Sequence, residues 1–545
     1  MNNLIFILFY NVLYFSGRRL VLFLKPKSFE NFFENQVITN SLFPIFSLFF
    51  LGNTNLILNF FIPLKTSALI TTVLFLFMFI FELKEYIKNK FKDFDLMSLI
   101  FIPLIISFSS YGIKFHYDAG AYHLDYQLWI YENKITIGLA NLNPYFSYGS
   151  IQEYIYSTFR YFDINLFYFF IDISFIATFF SFLYVLLKQN KNNFLKYSSF
   201  FILIFLILDN FGYMGGANGS IQIQMTGKAD TAVGVLWTIC SILIINAIIK
   251  KNTSQFEFFI ILMLSLFAFQ LKSNAGPLVF LIVIYMFKYK NKLKILTIEN
   301  SLLFLLNLLF LIKNFLVSGC FLYPLSFSCI RIVNWLNFQH IYESSQITIN
   351  RNKRFVIGEN FIDSFNAFIN HAYNLQIYLN FIFSLIIIYL IKFLFFENIH
   401  KNYKIKIYYL VFMITNFLLF FLTVPAFRQG YGLFLSILII FSIDNIRIKN
   451  QFEKIFNKKS ISILIMLVVF LSPRFFMYSE AINNSFKFKD FSPEKVEYTQ
   501  DHQNFVIPIS TNQCWGNKNC ILKTQFNNKI KSQKSFSYLI FTSSK

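Results

Sequence analysis

Charge is scarce in this sequence. Of 545 residues only 14% are Asp, Glu, Lys or Arg, and the acids number 27. So little charge cannot coat a soluble particle of this length, which excludes the water-soluble globular class. Cysteine is sparse too, with five residues. None of them stands at metal-ligand spacing with His or another Cys, which argues against structural zinc. There is no Gly/Ser- or Pro-rich linker and no repeat of fixed period, so neither flexible tethers nor a solenoid organise the chain.

What is abundant is apolar. Hydrophobic residues make up 56%, Phe alone contributes 78 residues, and the mean hydropathy is +0.54. Runs near the roughly 20 apolar residues needed to cross a bilayer recur along the whole length. The expected class is an all-α polytopic membrane protein. The excess of Phe, Ile, Asn and Lys is the signature of AT-rich coding, and Phe serves as well as Leu against lipid. The net charge of +21 does not point to nucleic acid, because Lys clusters between spans are what cytoplasmic loops look like.

Apolar segments lie near 3–16, 37–60, 64–83, 96–113, 162–187, 194–211, 231–249, 256–271, 275–289, 295–316, 375–396, 405–424, 430–446 and 460–478. The first ends at Gly17-Arg18-Arg19 and is short enough to be a surface-lying helix or a signal-like anchor. Thirteen or fourteen crossings result. Segments 256–271 and 275–289 meet at Lys272-Ser-Asn-Ala-Gly-Pro277, as a tight hairpin or a broken pair. Basic residues set the orientation. Lys84 and Lys88, Lys188 and Lys191, Lys250 and Lys251, Lys288 and Lys290, Lys401 and Lys404, and Arg447 and Lys449 all fall on one side if each segment crosses once. By the positive-inside rule that side is cytoplasmic, which predicts a multi-pass membrane protein with its long loops on the non-cytoplasmic side.

The other side receives the loops 114–161, 212–230 and 317–374. It also receives a tail, 479–545, beyond the transmembrane domain 1–478. The tail is long enough for a small cap and too small for an independent catalytic domain. Four of the five cysteines fall on this side, where an oxidising exterior permits disulfides. Cys514 and Cys520 are expected to close a short loop around Trp515-Gly516. Cys320 and Cys329 are equally readable as a second bridge or as small hydrophobes.

The run His116-Tyr-Asp-Ala-Gly-Ala-Tyr-His-Leu-Asp-Tyr-Gln-Leu-Trp129 places two carboxylates and two imidazoles just beyond a span. In a chain this poor in acids, such a cluster at membrane level is a functional-site hypothesis. Taken as a helix from Ala119, it sets Asp118, Tyr122 and Asp125 on one face and Leu124, Leu128 and Trp129 on another, the pattern of a helix lying on the membrane surface. Asp118 also suits an N-cap. His116 and His123 read equally as interfacial residues or as site residues. Gly138-Leu-Ala-Asn-Leu-Asn-Pro144 and Tyr148-Gly-Ser150 shape the loop. Isolated cations on the outer side, Lys228 beside Asp230, Lys272, Arg331 and Arg428, run against the positive-inside trend. They are therefore candidate contacts for a lipid-linked phosphate, against the plainer reading of snorkelling span ends.

An early outer loop with an acid just past a span resembles the GT-C superfamily of integral-membrane glycosyltransferases. A closer resemblance is to an uncharacterised family of bacterial polytopic membrane proteins with GT-C-like layout. Four places carry it: Asp118-Ala-Gly-Ala-Tyr-His-Leu through Gly138-Leu-Ala-Asn-Leu142; Lys313-Asn-Phe-Leu-Val-Ser-Gly-Cys-Phe-Leu-Tyr-Pro324 with Asn334-Trp335; Pro425-Ala-Phe-Arg-Gln-Gly430; and Gln513-Cys-Trp-Gly-Asn-Lys-Asn-Cys520. The GT-C resemblance implies transfer of a sugar from a polyprenyl-phosphate-linked donor to a cell-envelope glycan or lipid. It matches Asp118 to the acceptor-activating base or metal ligand of that superfamily. The loop follows the third or fourth span instead of the first, and no Asp-x-Asp or Asp-Asp pair occurs. Metal dependence stays open, with a divalent cation the one cofactor implied.

Glycosyl transfer is the leading expectation. Asp118 takes the acceptor proton, His123 or Asp125 is its polar partner, and Lys272, Arg331 or Arg428 neutralises the departing phosphate. The expected partners are the lipid-linked donor and membrane lipid, with no nucleic acid; oligomeric state is not legible. The competing readings are an O-antigen polymerase or ligase built on the 317–374 loop, and a polysaccharide transporter or flippase. The last is disfavoured by spans almost free of charge.

Overall fold

In a segment that meets lipid every backbone N–H and C=O must be satisfied within the segment, and the α-helix achieves that. The computed structural model describes residues 2–24, 36–88, 96–109, 115, 117–161, 164–188, 192–211, 229–250, 254–288, 297–323, most of 325–346, 374–400, 402–423 and 427–449. In the tail it describes 498–500, 506–509, 513–517, 520, 529–535 and 537–544. Among the described residues eight helices are long and apolar enough to cross a membrane. They are α1 (Asn2–Phe23), α3 (Phe43–Phe61), α4 (Leu64–Lys88), α8 (Ile164–Leu187), α10 (Asp230–Lys250), α13 (Ile298–Ser318), α14 (Asn374–Phe395) and α15 (Tyr403–Thr423). Shorter apolar stretches at Met97–Ser107, Asn193–Leu206 and Gln255–Leu271 lie between them, and one at Tyr431–Ile443 follows the last. The chain is a mostly helical, multi-pass membrane protein. The 460–478 segment lies outside the described residues.

The first segment runs on past its two arginines, giving α1 22 residues. The arginines do not end it because α4 neutralises them. Glu82 lies 3.0 Å from Arg18 and 3.8 Å from Arg19, and the two guanidinium groups stack on Tyr86 and Phe81. The junction at Lys272 is a tight hairpin. One 3-10 turn, Ser273–Ala275, joins α11 (Gln255–Leu271) to α12 (Gly276–Lys288).

Burial divides the helices. The apolar stretch of α8 is wholly inside, whereas that of α14 is only 17% buried. Phe77 on α4, Phe383 and Phe393 on α14, and Tyr408 and Ile414 on α15 all stand exposed. Apolar area on that scale is stable only against lipid or a partner, which places α4, α14 and α15 at the lipid boundary.

The all-α expectation holds for the bundle but not for its ends. At the lysine-rich end β1 (Phe396–His400) pairs antiparallel with β2 (Asn445–Ile448). In the tail β3 (Tyr498–Gln500) pairs with β4 (Val506–Pro508), and β5 (Lys529–Ser535) forms a ribbon with β6 (Tyr538–Ser544). Both cysteine pairs are bridged, Cys320 to Cys329 and Cys514 to Cys520.

The β5–β6 ribbon is tied to the early loop. Ile137 N–H donates to Leu539 O at 3.0 Å, and Phe541 N–H donates to Ile137 O at 2.9 Å. Gly138 makes the approach feasible. Its φ is +68°, and a Cβ there would fall 2.3 Å from Phe541 O. Gly138→Ala combines left-handed strain with a backbone clash. We expect it to loosen the ribbon by about 1–2 kcal/mol or more. Limited proteolysis of the tail measures this, and cleavage at the wild-type rate would show that the ribbon does not depend on this contact.

Candidate functional site

The run after Asp118 is not a straight α-helix lying on the surface. Ala119–His123 forms one π-helical turn, which passes into α6 (Leu124–Glu132). The wider turn breaks the expected shared face of Asp118, Tyr122 and Asp125. The helix is also buried on most sides, Gly120, His123, Asp125, Gln127 and Trp129 included. The tail is what covers it. Cys514 and Trp515 donate their N–H groups to Gly120 O at 2.7 and 3.0 Å, and Gln513 Nε2 donates to Tyr117 O at 2.8 Å. A Cβ on Gly120 would lie 2.5 Å from the Trp515 ring, so only glycine admits the indole.

Asp125, expected as a catalytic partner, is occupied by this latch. Its Oδ1 accepts the Gly516 N–H at 2.7 Å. Arg160 adds its charge nearby and donates to Leu124 O at 3.2 Å. Burial pushes the Asp125 carboxyl well above its ordinary value, against the opposing pull of the Gly516 N–H, Arg160 and the Asn517 N–H. A carboxyl raised on folding binds its proton in the folded state while the unfolded chain has lost it. Tail docking is therefore expected to be firmest near pH 4 and to weaken as pH rises from there through the folded-state value. Asp125→Asn keeps an acceptor and should flatten that slope. Hydrogen exchange of the tail amides across pH 4–8 measures it, and an unchanged slope in the variant would assign the dependence to another group.

His123 is likewise buried. Its Nδ1 lies 2.5 Å from Glu153 Oε1, and Gln127 Nε2 donates to Glu153 Oε2 at 2.7 Å. In the tautomer that donates from Nδ1 to Glu153, Nε2 is the accepting nitrogen of the ring. His123 Nε2 and the Tyr126 hydroxyl have no hydrogen-bond partner among the described residues. Glu153 stands on α7 (Gln152–Thr158), whose entry is pinned by Ile151 N–H donating to Gln270 O at 3.0 Å. Beside it Lys313 of α13, fully buried, donates to Gly149 O at 2.6 Å. Asp172 of α8 accepts from the Tyr156 hydroxyl at 2.6 Å and from Gln152 Nε2 at 3.1 Å.

Asp118, the residue before the π-helical turn, is partly exposed. Its backbone is already helical and its side chain makes no capping hydrogen bond, so the N-cap reading does not hold. Tyr122 links it to the rest. Its ring packs on Tyr145 and Tyr148, at 5.3 and 6.2 Å between centroids. Burial pushes the Tyr122 hydroxyl well above its ordinary value, and the charges of Asp118, Glu153 and Asp230 push it further. Asp230 in turn pairs with Lys272. Asn274 Nδ2 donates to Gln429 O at 3.4 Å, which joins the Lys272 turn to the 3-10 turn Phe427–Gly430. A narrow cleft of about 10 Å³ lies alongside, lined by Tyr148, Gln270, Lys272, Asn314 and Tyr323 among others.

The structure thus gathers Asp118, Tyr122, His123 and Lys272 around one set of acids and tyrosines. Arg331 stands apart, exposed and stacked on Phe338 at 4.4 Å. His116, Lys228 and the Arg428 side chain lie outside the described residues. Among the described residues no group of three or more His, Cys, Asp or Glu is spaced to hold a metal ion. Glu153, Arg160, Asp172 and Lys313 were not singled out as site residues from the sequence. For Lys313 and Asp172 a signal existed, a charge inside an apolar run. Glu153 offered only its rarity.

The chain belongs to a family described as a domain of unknown function (DUF8201), whose model matches residues 4–435. No curated protein and no solved structure matches it.

Proposed function

We propose that the protein is an integral-membrane glycosyltransferase of GT-C type, working on the non-cytoplasmic face of the inner membrane. It transfers a sugar from a polyprenyl-phosphate-linked donor to a cell-envelope glycan or lipid. The observation that supports this best is the placement of Asp118. It is a partly exposed carboxylate that caps no helix, it stands just before the π-helical turn that carries the buried His123, and its charge acts on Tyr122 together with those of Glu153 and Asp230, the partner of Lys272.

In the reaction Asp118 accepts the proton of the acceptor hydroxyl. That oxygen bonds to the anomeric carbon as the bond from this carbon to the phosphate oxygen breaks. The polyprenyl phosphate leaves with the electron pair, and Lys272 turns from Asp230 to neutralise it. His123 and Glu153 are positioning residues, because both are buried, His123 in the turn that follows Asp118 and Glu153 against it from α7. Asp125 holds the tail over that helix. The exposed apolar flanks of α4, α14 and α15 suit a donor that approaches from lipid.

The test is lipid-linked glycan profiling of a deletion strain complemented with wild type or Asp118→Asn. A transferase lacking its base accumulates the polyprenyl-linked donor. A lost polymerase leaves single repeat units, and a lost flippase leaves its intermediate on the cytoplasmic face. Either of the last two patterns would replace this reading.

A further inference from the structure

A second polar site lies at the lysine-rich end of the bundle, remote in sequence and topology from Asp118. A cavity of about 570 Å³ opens between α14, the start of α15 and the short helix α17 (Ile440–Ile443). Lys392, Lys406 and Lys449 supply its positive groups and Asp444 its one acid. Lys406 Nζ lies 3.0 Å and Lys392 Nζ 3.5 Å from the same oxygen, Asp444 Oδ2. Lys449 Nζ donates to Phe393 O and Leu394 O at 3.0 and 2.8 Å, the carbonyls that the end of α14 leaves without helical partners.

The two ammonium groups of Lys392 and Lys406 facing one carboxylate leave an excess of one positive charge. Burying such an excess without a counter-charge is unfavourable, and Lys406 remains partly open to the cavity. The floor does not adapt easily. The β1–β2 pair locks the end of α14 to the exit of α17, and Lys449 N–H donates to Phe395 O at 2.9 Å. The mouth is aromatic and exposed: Tyr389 is 57%, Phe393 66% and Tyr403 59% accessible. Immediately above it runs the exposed apolar face of α14, with Ile382, Phe383 and Ile386. Cations at span ends below an aromatic rim and an apolar wall match a phosphate headgroup with acyl chains rising along the helix.

We propose that this cavity binds the phosphate group of an anionic glycerophospholipid, with Lys392 and Lys406 as the ligands and the acyl chains laid on the outer face of α14. Asp444 keeps the two lysines aimed at one point, and the phosphate takes the charge that Asp444 leaves unbalanced. The chemistry recognised is a phosphate ester, and the exposed apolar wall selects the lipid-borne form over a soluble one.

The experiment uses the full-length protein, delipidated in detergent. Retention of phosphatidylglycerol, phosphatidylcholine or soluble glycerol phosphate is measured by native mass spectrometry, with thermal stability read in parallel. Wild type should retain phosphatidylglycerol over phosphatidylcholine and gain stability from it, and glycerol phosphate should do neither. Lys392→Gln combined with Lys406→Gln strands Asp444, so the informative variant adds Asp444→Asn and leaves no buried charge unpaired. That triple variant loses one net positive charge and should lose about five-fold in retention, the effect of one such charge near a lipid phosphate. Equal retention of phosphatidylglycerol by wild type and triple variant overturns the site. Equal binding of glycerol phosphate overturns its lipid source. If the triple variant fails to fold, Lys406→Gln alone must lower retention at least several-fold, and wild-type retention by it overturns the site equally.

Discussion

Asp118→Asn is expected to fold as wild type and to lose transfer by about 10²–10⁴-fold, the usual contribution of a positioned general base. The substitution is nearly isosteric and removes only the basic oxygen. Asp118 provides no helix cap, and its side chain is partly exposed. The change in stability should therefore be small, about 1 kcal/mol at most. The two readouts separate chemistry from folding. In cells, donor accumulation with unchanged protein level supports the assignment. Full restoration of the glycan by Asp118→Asn would remove the base from the mechanism, and the transferase proposal with it.

The largest loss of stability is expected at Glu153. Its two oxygens hold His123 Nδ1 and Gln127 Nε2, and all three residues are buried. Glu153→Ala deletes both acceptors and leaves two donors without water or partner. Removing one member of a buried pair costs about 3–5 kcal/mol. Against a total stability of about 5–15 kcal/mol that is enough to unfold part of the population. Glu153→Gln keeps the shape and one acceptor, so it should lose less. His123→Leu combined with Glu153→Leu removes both halves and should lose less than the two single changes added together. Thermal unfolding in detergent measures all five variants, the two single leucine changes included. A melting temperature for Glu153→Ala equal to that of wild type would mean that the pair carries no structural weight. A stable Glu153→Gln protein with Asp118 intact but reduced transfer would locate the role of the pair in positioning.

The sequence made some of this legible and hid the rest for identifiable reasons. The spans are visible because lipid demands long apolar helices, and that demand acts on each segment separately. The arginines at 18 and 19 seemed to end the first segment, since the acid that accepts them lies far along the chain on α4. Asp118 was prominent because an acid at membrane level is rare. Asp125 looked equivalent to it, seven residues on. Nothing local told the two apart: one is partly open, and the other accepts the N–H of Gly516.

Residue type and order by themselves determined that this is a multi-pass helical membrane protein with a polar, acid-bearing loop and a cysteine-bearing tail. Only the tertiary structure decided which polar groups meet. Glu153 pairs with His123 across 30 positions, Lys313 reaches Gly149 across 164, and Gly516 reaches Asp125 across 391. The physical reason is that hydropathy is a property each segment has alone. A buried hydrogen bond or ion pair belongs to two segments at once, and which two is set by how the helices pack.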